Sequence, residues 1–402
     1  MKIFAKTIED GVIAQLNQLI QTEIFDENTI RVMPDTHSGK GCVIGFTVPI
    51  KDKIVPNLVG VDIGCGILTI NLGKIDINLK ELDEFIYHNI PHGKNVYKTI
   101  DMDNSTIVHI NERLKDLKAI VNVDRALKSI GTLGGGNHYI EIDEDNDGNK
   151  YLQIHCGSRH LGVEVCQYHQ NIAIQKKNQK INQRKSDIIN KLKSLGKESD
   201  IQQELDLLKS EPQIIDSLAY LEDDDLKNYL NDMSICQYFA QINRETILCK
   251  ILQFIGINDI FEINNRYPKP HEFFHTVHNY IDFEDGILRK GAIACRKNQM
   301  VTIGLNMRDG SLICKGKGNE DWNCSGPHGA GRLMSRTAAK NQIKLKDFKN
   351  TMNGIYSTSI NKSTIDESPF AYKDYQEIID VIDDTVEIIE HIKPIYNFKA
   401  SE

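Results

Sequence analysis

The sequence predicts an α/β (α+β) fold in one domain spanning residues 1–402, with central β-sheets flanked by helices and a helical insertion at about 165–250. Three observations predict it. Short β-rich segments punctuated by glycine and proline recur along most of the chain. A charged stretch of helical character interrupts them in the middle. No internal repeat and no Gly/Ser-rich or Pro-rich linker divides the chain.

The N-terminal run MKIFAKTIEDGVIAQL reads as an amphipathic start and not as a signal peptide. VMPDTHSGKGCVIGFTVPI, 32–50, reads as short strands and turns. NLVGVDIGCGILTINL, 57–72, reads as a buried strand ending in a Gly-x-Gly turn. YLQIHCGSRHLG, 151–162, is a strand that breaks at Gly157. QKKNQKINQRKSDIINKLKSLGKESDIQQELDLLKSE, 175–211, is charged and weakly periodic, as in a helical hairpin facing water. GAIACRKNQMVTIGL, 291–305, returns to strand character. RLMSRTAAKNQI, 332–343, predicts a helix that places HGAG, 328–331, at its N-terminus. DYQEIIDVIDDTVEIIEHIKPI, 374–395, has helical spacing and stops near Pro394.

Bulk properties narrow the function classes. Net charge is -8, so no global basic field marks a nucleic-acid binder, although a local groove is compatible with it. Lys315, Lys317 and Arg336 are candidates for such a groove. No apolar run approaches the roughly 20 residues of a membrane helix. Nine cysteines form no dense framework, so a reducing, cytoplasmic setting is expected.

One set of side chains gathers beside the glycines. Asp62 and Cys65 lie in VGVDIGCG, His138 in GGGNHYIE, His155 in IHCGSRH and His278 in HTVHNYI. Carboxylate, thiolate and imidazole together suit a borderline transition metal. Glycine beside a ligand lets a second large group come close. His271 and His275 rival His278, since HxxH on a helix would put two imidazoles on one face. His37, His160 and His169 read as structural or surface residues. Taken singly, each ligand candidate also has an ordinary structural reading, and their spacing is not that of a zinc finger.

A second set lies in WNCSGPHGAGRLMSR, 322–336. His328 precedes Gly329, Ala330, Gly331 and Arg332. A helix N-terminus there favours anions, and arginine grips phosphate oxygens bidentately. A neutral imidazole in that setting is a nucleophile toward phosphorus. A glycine-rich turn whose histidine caps a helix is the plainer alternative.

The segments MPDTH, VGVDIGCG, GTLGGGNHYIE, HCGSRHLG, HNYI, PHGAGR, DESPFAYKD and IKPIYNFK, in this order, resemble the RtcB family of RNA-splicing ligases. The resemblance runs from MPDTH to Lys399. It implies a GTP- and manganese-dependent RNA ligase that joins 2′,3′-cyclic phosphate or 3′-phosphate ends to 5′-hydroxyl ends. The work would be tRNA splicing or RNA repair. By the same resemblance, Asp62, Cys65, His138, His155 and His278 hold manganese, with the thiolate bridging two ions. His328 carries GMP. Asn137 contacts nucleotide phosphates, and Glu141, Tyr372 and Lys399 contact guanosine. Arg159 contacts the RNA end, and Asp35 serves a supporting or leaving-group role. Where many members carry a PGSMG-like segment, this chain reads IGLNMRDGSLICKGKGN, 303–319, and Asn306 stands where a serine contacts the nucleotide. Two other classes stay open: a metal-dependent RNA-end phosphodiesterase and a non-catalytic RNA-binding relative.

Overall fold

The computed structural model describes residues 1–39, 41–100, 104–211, 213–257 and 273–400. Two sheets dominate. The smaller has five strands in the spatial order Lys2–Ile3, Arg31–His37, Ile44–Pro49, Ile287–Lys290, Asn279–Ile281. Its first pair is parallel and the others antiparallel. The larger has seven antiparallel strands, ordered Met300–Asn306, Gly310–Gly316, Val386–Lys399, Tyr139–Glu144, Lys150–Cys156, Gly66–Gly73, Phe274–Val277. Predominantly antiparallel sheets flanked by helices match the expected class.

The middle of the chain is helical, as its composition predicts. Arg159–Ser194 and Ile201–Ser210 form the hairpin, and Asp223–Phe254 follows. The last of these carries three aspartates in its first turn, where the helix dipole favours them. Its inner face buries Ile247, Leu248, Ile251 and Leu252 against Leu68, Ile140 and Ile154 of the large sheet. Among the described residues, no helix is long and apolar enough to cross a membrane.

Three local expectations are corrected. In 57–72 the strand follows the Gly-x-Gly turn. Pro56 opens a one-turn helix, Pro56–Val59, which Gly60 ends at φ 89, and the strand is Gly66–Gly73. HGAG does not start a helix. The helix begins eight positions after His328, at Arg336, with the Ser335 hydroxyl accepting from Ala338 N–H at 3.2 Å. In the tail, a helix covers only Tyr375–Ile382, and Val386–Lys399 is a strand. The β-branched run there favours extended backbone. Pro394 is accommodated where the register with Tyr139–Glu144 shifts, between Pro394 and Tyr396.

A buried histidine–aspartate pair secures the helical layer. His169 Nε2 lies 2.8 Å from Asp232 Oδ2, and both side chains are shut from solvent. Asp232 also accepts the N–H groups of Lys118 and Ala119. Burial pushes its carboxyl up, but His169 and these two donors outweigh burial and hold it low. Asp232→Ala should therefore cost about 3–5 kcal/mol in denaturant unfolding at neutral pH. This aspartate's own contribution is present above its unfolded value, about pH 4, and fades as pH falls below it. The gap between wild type and variant should narrow at acid pH.

Candidate active site

The large sheet itself assembles the first cluster. Tyr139–Glu144, Lys150–Cys156, Gly66–Gly73 and Phe274–Val277 are consecutive neighbours. His138 precedes the first, His155 lies near the end of the second, Asp62 and Cys65 precede the third, and His278 follows the fourth. Cys65 Sγ lies 3.2 Å from His138 Nε2 and 3.3 Å from His155 Nε2. His138 Nε2 is 3.0 Å from Asp62 Oδ2, and His155 Nε2 is 3.3 Å from His278 Nε2. All five predicted metal ligands thus meet.

The donor chemistry fits a cation. His155 Nδ1 lies 3.0 Å from the Asn137 carbonyl, which can only accept, so Nδ1 carries the proton and Nε2 faces the cluster with a lone pair. Around that lone pair stand a thiol and a second imidazole nitrogen. Among the described residues, Cys65, His138 and His155 bring one donor atom each within 4.8 Å of one another. Burial, and then the Asp62 charge, push the bare Cys65 thiol well above its ordinary range. A bound cation would reverse that.

Bare backbone makes the convergence possible. A Cβ on Gly134 would fall within bonding distance of His138 Nδ1, and one on Gly157 would collide with Asp62 Oδ1. Behind the cluster, the buried Arg244 donates through one nitrogen to the carbonyls of Gly64 (2.8 Å) and Cys156 (2.7 Å). Its neighbour Asn243 accepts from the N–H groups of Gly131 and Thr132 and donates to the Gly157 carbonyl. Helix Asp223–Phe254 therefore fastens both glycine turns that carry ligands.

His328 faces this cluster from the end of strand Ser325–Pro327, which pairs with Ala292–Ala294. Its ring centroid is 4.8 Å from that of His278, and its Nδ1 is 2.6 Å from Asp35 Oδ2 on strand Arg31–His37. The same carboxylate oxygen accepts the N–H groups of His328 (3.1 Å) and Gly329 (3.2 Å). The His328 carbonyl accepts from Gly304 N–H of the large sheet at 3.2 Å. Gly331, at φ 77, packs against the Asp35 carbonyl, where a side chain would collide.

A cavity of about 570 Å³ opens beside His328. Asn137, Glu141, Asn306, Gly329, Ala330, Gly331, Arg332, Tyr372 and Lys399 all line it, together with Asp62, His155 and His278. At its far end Glu141 accepts from Asn397 Nδ2. Burial raises the Glu141 carboxyl to about 7 against the opposing pull of Asn397, Asp143 and Lys399. Lys399 Nζ donates to Glu367 Oε2 (2.9 Å) and to the Asn137 carbonyl (3.4 Å).

A family model described as tRNA-splicing ligase RtcB matches residues 15–400. The chain belongs to the RtcB family. It is 30% identical over 399 residues to the RNA-splicing ligase RtcB of Escherichia coli K12, a match covering 92% of this chain and 90% of that one. It is 27% identical to the tRNA-splicing ligase RtcB of Aeropyrum pernix, covering 87% and 83%. It is 25% identical to that of Nanoarchaeum equitans, covering 99% and 94%.

Some side chains of this RtcB-family chain sit differently from their sequence reading. Arg159 lies outside the cavity wall. Its guanidinium bonds Thr132 Oγ1 (3.1 Å) and the Gly93 carbonyl (2.6 Å), and its backbone is left-handed at φ 57. Asn306 spends its amide on its own turn, accepting from Arg308 and Asp309 N–H and donating to Asp309 Oδ2. Arg332 bonds Glu367 and the carbonyls of Asp366 and Met334. Lys317 pairs with Asp383, and Arg336 with Asp366 and Glu367. His275 lies between Arg244 and Glu245, because in an extended segment a three-residue offset puts it opposite His278. His271 lies outside the described residues. His160 is exposed beside Glu164, as expected.

Sequence reasoning missed three residues. His37, read as structural, lines the cavity with Nδ1 3.0 Å from the Asp35 carbonyl, and burial lowers it to about 4. Arg244 and Glu367 carried no signal of their own, although Glu367 lies in the quoted DESPFAYKD. If the glycine geometry shapes a cation site, Gly134→Ala and Cys65→Ala should each weaken any binding of an added divalent cation, with manganese as the probe, by at least about tenfold. Equilibrium dialysis with metal analysis measures this, and unchanged binding in Gly134→Ala would remove the steric argument.

Proposed function

We propose that this chain is an RNA ligase that joins a 2′,3′-cyclic phosphate or 3′-phosphate end to a 5′-hydroxyl end, using GTP and manganese. His328 is the residue that takes up GMP. The observation that carries the reading is the position of His328, with Asp35 on its Nδ1 and the donor cluster beside its ring. The family membership and the names of the relatives support the same reaction class.

Asp62, Cys65, His138, His155 and His278 would hold the manganese, which when bound supplies charge neutralisation at phosphoryl oxygens. The thiol touches both His138 and His155. Asp62 stands at the first imidazole and His278 at the second, so oxygen and nitrogen donors lie on both sides of the thiol. Asp35 Oδ2 lies against Nδ1, and a proton carried on that side would leave the Nε2 lone pair for the substrate. Nε2 attacks the α-phosphorus of GTP, forming an N–P bond and releasing pyrophosphate. The RNA 3′-phosphate then takes the GMP from the imidazole, a cyclic phosphate first being opened by water. The 5′-hydroxyl attacks the activated phosphate, loses its proton, and expels GMP. Asn137 faces the phosphates, and Glu141, Tyr372 and Lys399 face the guanosine. A carboxylate at 141 accepts two hydrogen bonds from the guanine N–H edge. Arg159, bonded to Thr132 and Gly93, is assigned to the RNA end by the family resemblance, and Asp35 supports His328. Action in tRNA splicing or RNA repair, in a cytoplasmic setting, belongs to the same proposal.

The test is incubation with α-labelled GTP and manganese. Wild type should acquire an acid-labile, alkali-stable label, and His328→Ala none. Asp35→Asn should slow labelling by roughly 10²-fold or more. A chain that trims cyclic phosphates yet never takes label is a phosphodiesterase. One that binds RNA without turnover is a non-catalytic relative. Either result overturns the ligase reading.

A further inference from the structure

Glu367 is 2% exposed and sits just behind the cavity wall, without lining it. Four wall side chains converge on its carboxylate. Oε2 accepts from Tyr372 Oη at 2.7 Å and from Lys399 Nζ at 2.9 Å. Oε1 faces Arg332 Nη1 at 3.3 Å and Arg336 Nη1 at 2.6 Å. These donors come from three separate parts of the chain: the segment after His328, the turn at 369–373, and the end of strand Val386–Lys399.

We infer that Glu367 is a positioning residue that fixes the hydrogen-bond polarity of the nucleotide end of the cavity. This rests on the reading of that end as the guanosine site. A carboxylate can only accept. The Tyr372 hydroxyl proton is therefore spent on Glu367, and Tyr372 offers the cavity lone pairs. Lys399 spends one of its donors on Glu367 and a second on the Asn137 carbonyl, and its ammonium has a third donor to offer what enters the cavity it lines. The wall thus presents one fixed acceptor and one fixed donor to whatever enters. Burial alone would raise the Glu367 carboxyl. Lys399, Arg336, Arg332 and the Tyr372 hydroxyl outweigh it and hold the group at about 2, so the polarity is constant across the working pH range.

The role is separable from simple scaffolding. Glu367→Gln keeps the shape but can donate to Tyr372, reversing the direction of that bond, and it frees Lys399 from its counter-charge. The measurement is the GTP dependence of His328 labelling. Glu367→Gln should raise the KM for GTP by at least about tenfold while the rate at saturation stays within about threefold, the pattern of lost positioning at the binding end. In a Lys399→Met background the same change should add less than about threefold, because the two residues act as one unit. An unchanged KM, or fully additive effects, would sink the inference. Should Glu367→Gln fail to melt as a folded protein, Glu367→Asp is read in the same assay. Its withdrawn carboxylate should raise the KM several-fold, and a wild-type KM again sinks the idea. No label on wild type instead counts against the ligase reading itself.

Discussion

Three imidazoles, a thiol and a carboxylate meet with their accepting atoms toward one another, and that convergence organises the rest of the molecule. Lone pairs this close repel in a dry interior unless protons or a cation lie between them. Part of this cluster is pinned from behind. His155 is held by the Asn137 carbonyl, and the backbone on either side of Cys65 and Gly157 is held by Arg244 and Asn243. The glycines at 134 and 157 follow from the same requirement, since any Cβ there would occupy ligand space.

His328 is the second point at which separate parts of the chain are joined. Its carbonyl belongs to the hydrogen bonding of the seven-stranded sheet, and its ring to Asp35 of the five-stranded one. The two sheets are thereby held in register at this residue. The Asn137 carbonyl plays a matching part on the opposite wall, taking His155 on one side and Lys399 on the other.

Much of this was legible in the residues. Residue types next to glycine singled out Asp62, Cys65, His138, His155 and His278, and PHGAGR singled out His328; the fold does bring these six side chains together. The helical middle was plain from charge and period. Other parts were hidden for physical reasons. The tail 374–395 has apolar spacing compatible with a helix, and only pairing with Tyr139–Glu144 and Gly310–Gly316 decides for strand from Val386 onward. The HGAG turn looks like a helix start until Asp35 is seen to take the N–H groups that a dipole would have offered an anion. Glu367 and Arg244 are ordinary charged residues in sequence; their importance lies in partners far along the chain. Arg332 was assigned to phosphate because its type suits phosphate, while its neighbours in space already claim most of its donors.

The strand Val386–Lys399 lies in the middle of the large sheet, yet the residues it joins are far apart: Asn397 and Glu141 are separated by 256 positions. Closing so long a loop is entropically costly, and pairings of this kind form late and slowly. Until this strand docks, neither Asn397 nor Lys399 is in place, and the cavity lacks one side. The pocket is thereby complete only once this long-range pairing has formed.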